Sequence, residues 1–202
     1  MSMPYLTSVV IFLPIVGALL TMAARSVNAV RWTALGTTLL TFFLSLGLYA
    51  GFDPGASTAT MPQLADISSS WFPDRLDIKY FVGIDGLSLL LVMLTTLLGP
   101  IVVMSSWTYI GKQQKGYYTL LLVLQTGVTG VFCAFDVILF YIFFELTLIP
   151  MYFIIGIWGG ERRIYAAVKF VLFTLVGSLL MLVGILTLGY LAGDAVNGGV
   201  FT

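Results

Sequence analysis

Six stretches of about twenty residues, each almost free of charge, leave this sequence few ways to fold. They span 4–24, 32–52, 86–110, 116–135, 137–158 and 164–191, and the gaps between them hold nearly all the charged residues. Each is long enough to cross a hydrocarbon core of roughly 30 Å as a helix. A transmembrane barrel would instead show segments of roughly ten residues with strict alternation. The run Leu87-Ser88-Leu89-Leu90-Leu91-Val92-Met93-Leu94 does not alternate. The sequence therefore predicts an all-α, polytopic transmembrane helical bundle of about six helices. It reads as a single transmembrane domain over 1–202 with one sizeable outer loop at 53–85. The first run ends in small Ala23 and Ala24, but a secretory signal begins with positive charge, and here Arg25 follows the run.

Composition narrows function. Apolar residues make up 59% of the chain and charged ones 9%, against about 25% charged in a typical soluble domain. The net charge is zero, so there is no electrostatic footprint for nucleic acid. Cys133 is the one cysteine and histidine is missing from the sequence, which excludes an internal disulfide and metal or haem sites built on those residues. Without the usual near-neutral proton carrier, proton chemistry falls to carboxylates, lysines, tyrosines or water. Cys133 reads as an inert helix residue. No phosphate-binding glycine loop, nucleophile triad or metal-ligand spacing is present.

Charge also orients the chain. The odd gaps carry Arg25 and Arg31, Lys112 and Lys115, and Arg162 and Arg163 beside Glu161. The even segments are acidic: Asp53, Asp66, Asp74 and Asp77 outnumber Arg75 and Lys79 in the loop, Asp136 stands alone in the fourth gap, and Asp194 lies in the tail. Cytoplasmic loops carry the Lys and Arg excess, so both termini are expected outside. Within the loop, Trp71-Phe72-Pro73 and then Ile78, Tyr80, Phe81 and Val82 suggest short strands or an aromatic anchor. Gly193–Thr202 reads as a further loop.

One residue breaks the pattern. Glu145 lies in Ile142-Phe143-Phe144-Glu145-Leu146-Thr147-Leu148-Ile149-Pro150, roughly 12 Å from the outer edge at 1.5 Å per residue. A lone charge near mid-membrane costs about 2.5–3.5 kcal/mol on insertion scales, and intramembrane acids are functional by default. Glu145 is thus expected to be a proton or cation relay, the alternative being a protonated carboxyl in a packing hydrogen bond. Pro150 denies the Leu146 carbonyl its helical partner, which either hydrates the neighbourhood of Glu145 or merely kinks the helix. Lys169, in the sixth run, is expected to snorkel to the inner interface, where it can join a water path; ion pairing with Glu145 is the alternative. Asp85 and Asp136 are read as helix caps. Thr126, Gly127, Thr129, Gly130, Gly177, Ser178 and Gly184 are read as small residues for close helix approach.

These residues also carry a resemblance. Phe143 through Gly160, Arg163 through Thr174 with Gly177-Ser178, and Gly83-Ile84-Asp85-Gly86-Leu87-Ser88 together resemble, in order and spacing, the antiporter-like subunit M family of NADH:quinone oxidoreductase, respiratory complex I. Mitochondrial subunit 4, the plastid counterpart and Mrp-type antiporter subunits share parts of the pattern. The resemblance implies a proton-translocating subunit built on an inverted-repeat fold, with Glu145 at the family's fifth-helix glutamate and Lys169 at a secondary lysine on the proton path. It implies no redox cofactor in this chain, with flavin, iron–sulfur clusters and quinone in other subunits. It implies membrane-arm partners, especially neighbouring antiporter-like subunits, and a bacterial inner membrane or, in an organelle, the mitochondrial one. Family members have more than twice as many helices, so the chain is expected to be an amino-terminal portion that stops before the first broken helix and does not pump alone. An Mrp-type cation/proton antiporter subunit and a structural membrane subunit are the competing functions.

Overall fold

The computed structural model describes residues 5–53, 55, 62–67 and 79–197. Six helices run in chain order: α1 Leu6–Ala23, α2 Val27–Gly51, α3 Gly86–Tyr109, α4 Gln114–Cys133, α5 Val137–Trp158 and α6 Arg163–Asn197. All six are long and apolar enough to cross a membrane, and the protein is an integral membrane protein. A two-stranded antiparallel sheet, β1 Gln63–Ile67 with β2 Phe81–Ile84, joins α2 to α3. Of the two expectations, strand or aromatic anchor, Phe81 and Val82 follow the first and Tyr80 lies just ahead of the strand, whereas Trp71-Phe72-Pro73 and Ile78 lie outside the described residues.

Helix ends follow local chemistry. Asp85 caps α3 by accepting from Ser88 N at 2.6 Å, and Asp85 N donates in turn to the Ser88 hydroxyl at 2.8 Å, a reciprocal capping box. Asp136 caps α5 by accepting from Leu139 N at 2.9 Å. Two boundaries depart from the sequence reading. Ser26 accepts from Ala29 N and starts α2 at Val27, so Arg31 belongs to a helix rather than a gap. At the far end α6 continues to Asn197, so Gly193–Asn197 is helix where a loop was expected; Gly198–Thr202 lies outside the described residues.

The packed core lies among α1–α4 and β2, and Leu139 and Phe143 of α5 join it near the sheet. Near the sheet, Val10, Ile11, Leu48, Val82, Ile84 and Val92 are fully buried, and at the other end Ala34, Val103, Tyr118 and Leu122 are. Hydroxyls stitch these helices together, Ser45 to Thr96 at 2.8 Å and Thr21 to Thr119 at 2.9 Å. Then α5 packs on α4, and α6 packs on α5. Gly130 explains the α4–α5 approach: a Cβ there would collide with the ring of Phe143. Gly177 and Gly184 have open space instead, and Ser178 between them is buried, as is Ala167 earlier in α6.

The hairpin gathers helix ends on one face. Phe135 N donates to Phe81 O at 2.9 Å, Val82 bridges to Ala134, and Lys79 N donates to Asp136 at 3.3 Å. On the opposite face Trp158 Nε1 donates to the Lys112 carbonyl at 2.8 Å. The odd gaps, with their basic residues, therefore share one end of the bundle.

Candidate functional site

The site begins with the α5 cap. Asp136 fixes the first turn, and Glu145 follows two turns later, roughly 12 Å into the span. The carboxyl is partly buried. Among the described residues no hydrogen-bond partner reaches its enclosed Oε1, a state that carries a desolvation penalty unless a donor arrives. The residue lines a cleft of about 790 Å³ between α1, α5 and α6, whose walls include Phe12, Leu139, Phe143, Val171 and Leu175. One helical turn back, Tyr141 interacts with Glu145 and with Ser178 of α6. Pro150 is in α5 and buried, and Leu146, whose carbonyl it frees, lines the same cleft.

Lys169 is elsewhere. It is exposed on the outer side of α6, its ammonium 5.7 Å from the centre of the Tyr165 ring. It lines a separate groove of about 620 Å³ with Tyr165, Leu172, Phe173, Val176 and Leu180. The α6 residues that line the cleft with Glu145 are Val171 and Leu175. The structure thus does not bring the two sequence candidates together.

Other polar groups near the site escaped the sequence reading. Asp66 of β1, 8% exposed, accepts from Tyr5 N at 3.1 Å, Ser8 N at 3.0 Å and Ser8 Oγ at 2.6 Å. Ser8 Oγ lies 2.9 Å from the Tyr80 hydroxyl. Tyr80 in turn lines the Glu145 cleft and stacks on Phe12, ring centres 6.3 Å apart. Burial pushes the Tyr80 phenol above its usual range; the Ser8 hydrogen bond opposes that shift and the Asp66 charge adds to it. Away from that cleft, the Gln125 side chain of α4 is 7% exposed, and among the described residues neither its amide atoms nor Oγ1 of Thr126, already read as a small packing residue, has a hydrogen-bond partner. Gly99 makes room for Gln125, since a Cβ there would stand 2.9 Å from its Oε1. A glutamine within an apolar run was the one signal in the sequence for this spot. For Asp66 there was none beyond its place in Leu64-Ala65-Asp66-Ile67. Among the described residues no group of three or more His, Cys, Asp or Glu side chains could hold a metal ion.

Comparison with known proteins gives this geometry a context. Residues 8–129 match the family described as NADH-ubiquinone oxidoreductase chain 4, amino terminus. Residues 134–197 match NADH:quinone oxidoreductase/Mrp antiporter, TM. The chain is 43% identical over 200 residues to NADH-quinone oxidoreductase subunit M of Rhodobacter capsulatus, covering 95% of this chain and 37% of that one. It is 38% identical over 185 residues to F(420)H(2) dehydrogenase subunit M of Methanosarcina mazei, covering 92% and 36%. It therefore spans little more than a third of these curated relatives. Among solved structures, respiratory complex I from Thermus thermophilus with bound NADH superposes with a TM-score of 0.72 at 31% identity, covering 96% of this chain and 37% of the other. The Mrp complex from Dietzia sp. DQ12-45-1b gives 0.68 at 21% identity, covering 96% and 20%, a likeness of fold alone.

Proposed function

The chain belongs to the NADH-ubiquinone oxidoreductase chain 4 family, and from that membership we propose that it supplies the Glu145 relay of an antiporter-like subunit that couples quinone reduction to proton transport. The observation that carries the reading is the enclosed, unpartnered Oε1 of Glu145, two turns inside the span and open to a cleft. Such an oxygen gains a donor when a proton or a water arrives, so the carboxyl is suited to transient occupancy rather than to fixed packing. A packing role would leave the oxygen satisfied by a neighbouring helix.

The relatives support energy coupling over choice of electron donor, because proteins named for NADH and for F(420)H(2) share this same segment. In this reading flavin, iron–sulfur clusters and quinone reside in other subunits, and the partners are membrane-arm subunits, neighbouring antiporter-like ones among them. Lys169 has a secondary place near the basic end of the path. The amino terminus faces outward, as the basic odd gaps favour, and the membrane is a bacterial inner or mitochondrial inner one.

The test is Glu145→Gln in the full-length protein within its assembled complex. The substitution keeps shape and removes the titratable group. Proton pumping coupled to quinone reduction is expected to fall, with NADH oxidation by artificial acceptors spared. Pumping at the wild-type rate would return Glu145 to a packing role.

A further inference from the structure

One carboxyl of this protein, Asp66, is tied through two hydroxyls to the wall of the cleft that Glu145 lines. Asp66 accepts three hydrogen bonds, two from backbone amides of the first turn of the chain and one from Ser8 Oγ. A serine hydroxyl has one proton to give, and at 2.6 Å from a carboxylate that proton is directed to Asp66. The remaining contact, Ser8 Oγ to Tyr80 Oη at 2.9 Å, is then donated by the phenol. Burial keeps that phenol protonated. Tyr80 is left with free lone pairs on its oxygen and lines the cleft that Glu145 lines. Capping of α1 accounts for the amide bonds to Asp66. It does not account for the Tyr80 hydroxyl.

We propose that Tyr80, Ser8 and Asp66 form the outer limb of the Glu145 path, a hydrogen-bonded wire that passes protons between the cleft and the face of the molecule that holds the hairpin. The proposal rests on the relay reading of Glu145. A protonated water in the cleft gives its proton to Tyr80 Oη as the phenol's own proton moves to Ser8 Oγ and the serine proton moves to Asp66 Oδ2. Three O–H bonds form and three break, no electrons change hands, and the product is a neutral Asp66 carboxyl. Asp66 then releases its proton through its small exposed edge, and rotation of the two hydroxyls resets the wire. Between Glu145 and Tyr80 the walls are apolar, Leu139, Ile142 and Phe143 among them. An apolar stretch of this kind conducts only while wetted, so it isolates the two carboxyls at rest. The volume of about 790 Å³ admits a short file of water when it opens.

The experiment compares variants of the full-length protein in native membranes, with assembly checked on native gels and acidification measured at matched NADH-to-quinone rates. Tyr80→Phe keeps the ring against Phe12 and removes only the hydroxyl; Ser8→Ala breaks the wire while sparing the backbone bond to Asp66. Both are expected to lower pumping to the level of Glu145→Gln, and Ser8→Thr, which restores a hydroxyl, to return it to wild type. A purely structural cap would leave Tyr80→Phe pumping normally. Normal pumping in Tyr80→Phe with a defective Glu145→Gln overturns the wire and leaves the Glu145 site standing. Normal pumping in both variants overturns the site and the wire together.

Discussion

At the scale of single residues, Glu145 and Asp66 show what a sequence reveals and what it conceals. Glu145 stands out because it interrupts more than twenty apolar residues, and the cost of placing a charge there needs no knowledge of neighbours. Asp66 has the richer set of bonds but was counted only as loop charge, since its partners Tyr5 and Ser8 lie 61 and 58 residues away. Its contribution can be measured. Asp66→Ala removes the acceptor for two amides and is expected to cost about 1–2 kcal/mol, in the range of a lost helix cap, read as a lower midpoint of unfolding in detergent. Asp66→Asn keeps one acceptor oxygen and should lose less. Lys169 illustrates the opposite case. Exposed, with its ammonium over the Tyr165 ring, it is expected to tolerate replacement by alanine with a milder loss of pumping than Glu145→Gln. Equal losses in the two variants would place it at the centre of the path.

Among elements, the spans themselves were legible because hydrophobic length is a local property, and the caps at Asp85 and Asp136 were legible for the same reason. The start of α2 was not. Arg31 suggested a gap, yet Ser26 caps the helix ahead of it, and the guanidinium lies 5.6 Å from the Trp107 ring, so a charged residue near a helix end keeps its head by an aromatic face. The β1–β2 pairing could not be read at all, because register between distant strands depends on contacts that no window contains. Packing between helices was half legible: small residues in α4 and α6 looked alike, but only one set is compressed. Gly130→Ala is expected to push Phe143 aside and destabilise the α4–α5 contact by about 1–3 kcal/mol, whereas Gly177→Ala, facing open space, should be near neutral. Melting curves of the two variants measured side by side decide this, and equal midpoints would refute the close approach.

For the molecule as a whole, topology and charge agree. Arg25 and Lys115 border a common hollow, and Trp158, in the helix that leads to Arg162 and Arg163, reaches the same end through the Lys112 carbonyl. If that end faces the cytoplasm, a cysteine at Gln63 reacts with a membrane-impermeant thiol reagent in intact cells, and one at Lys112 reacts only after permeabilisation; the reverse pattern inverts the protein. The hairpin carries a further consequence, for biosynthesis. The amides that open α1 find their acceptor only at Asp66, and the hairpin meets Phe135 and Asp136 only after four helices have been made. A nascent chain must therefore hold its first span in the bilayer uncapped while roughly sixty further residues emerge, and its outer face closes when the fifth span begins. Ribosome-stalled chains ending before Asp136 should leave Gln63 open to protease, and chains stalled well beyond it should protect that strand.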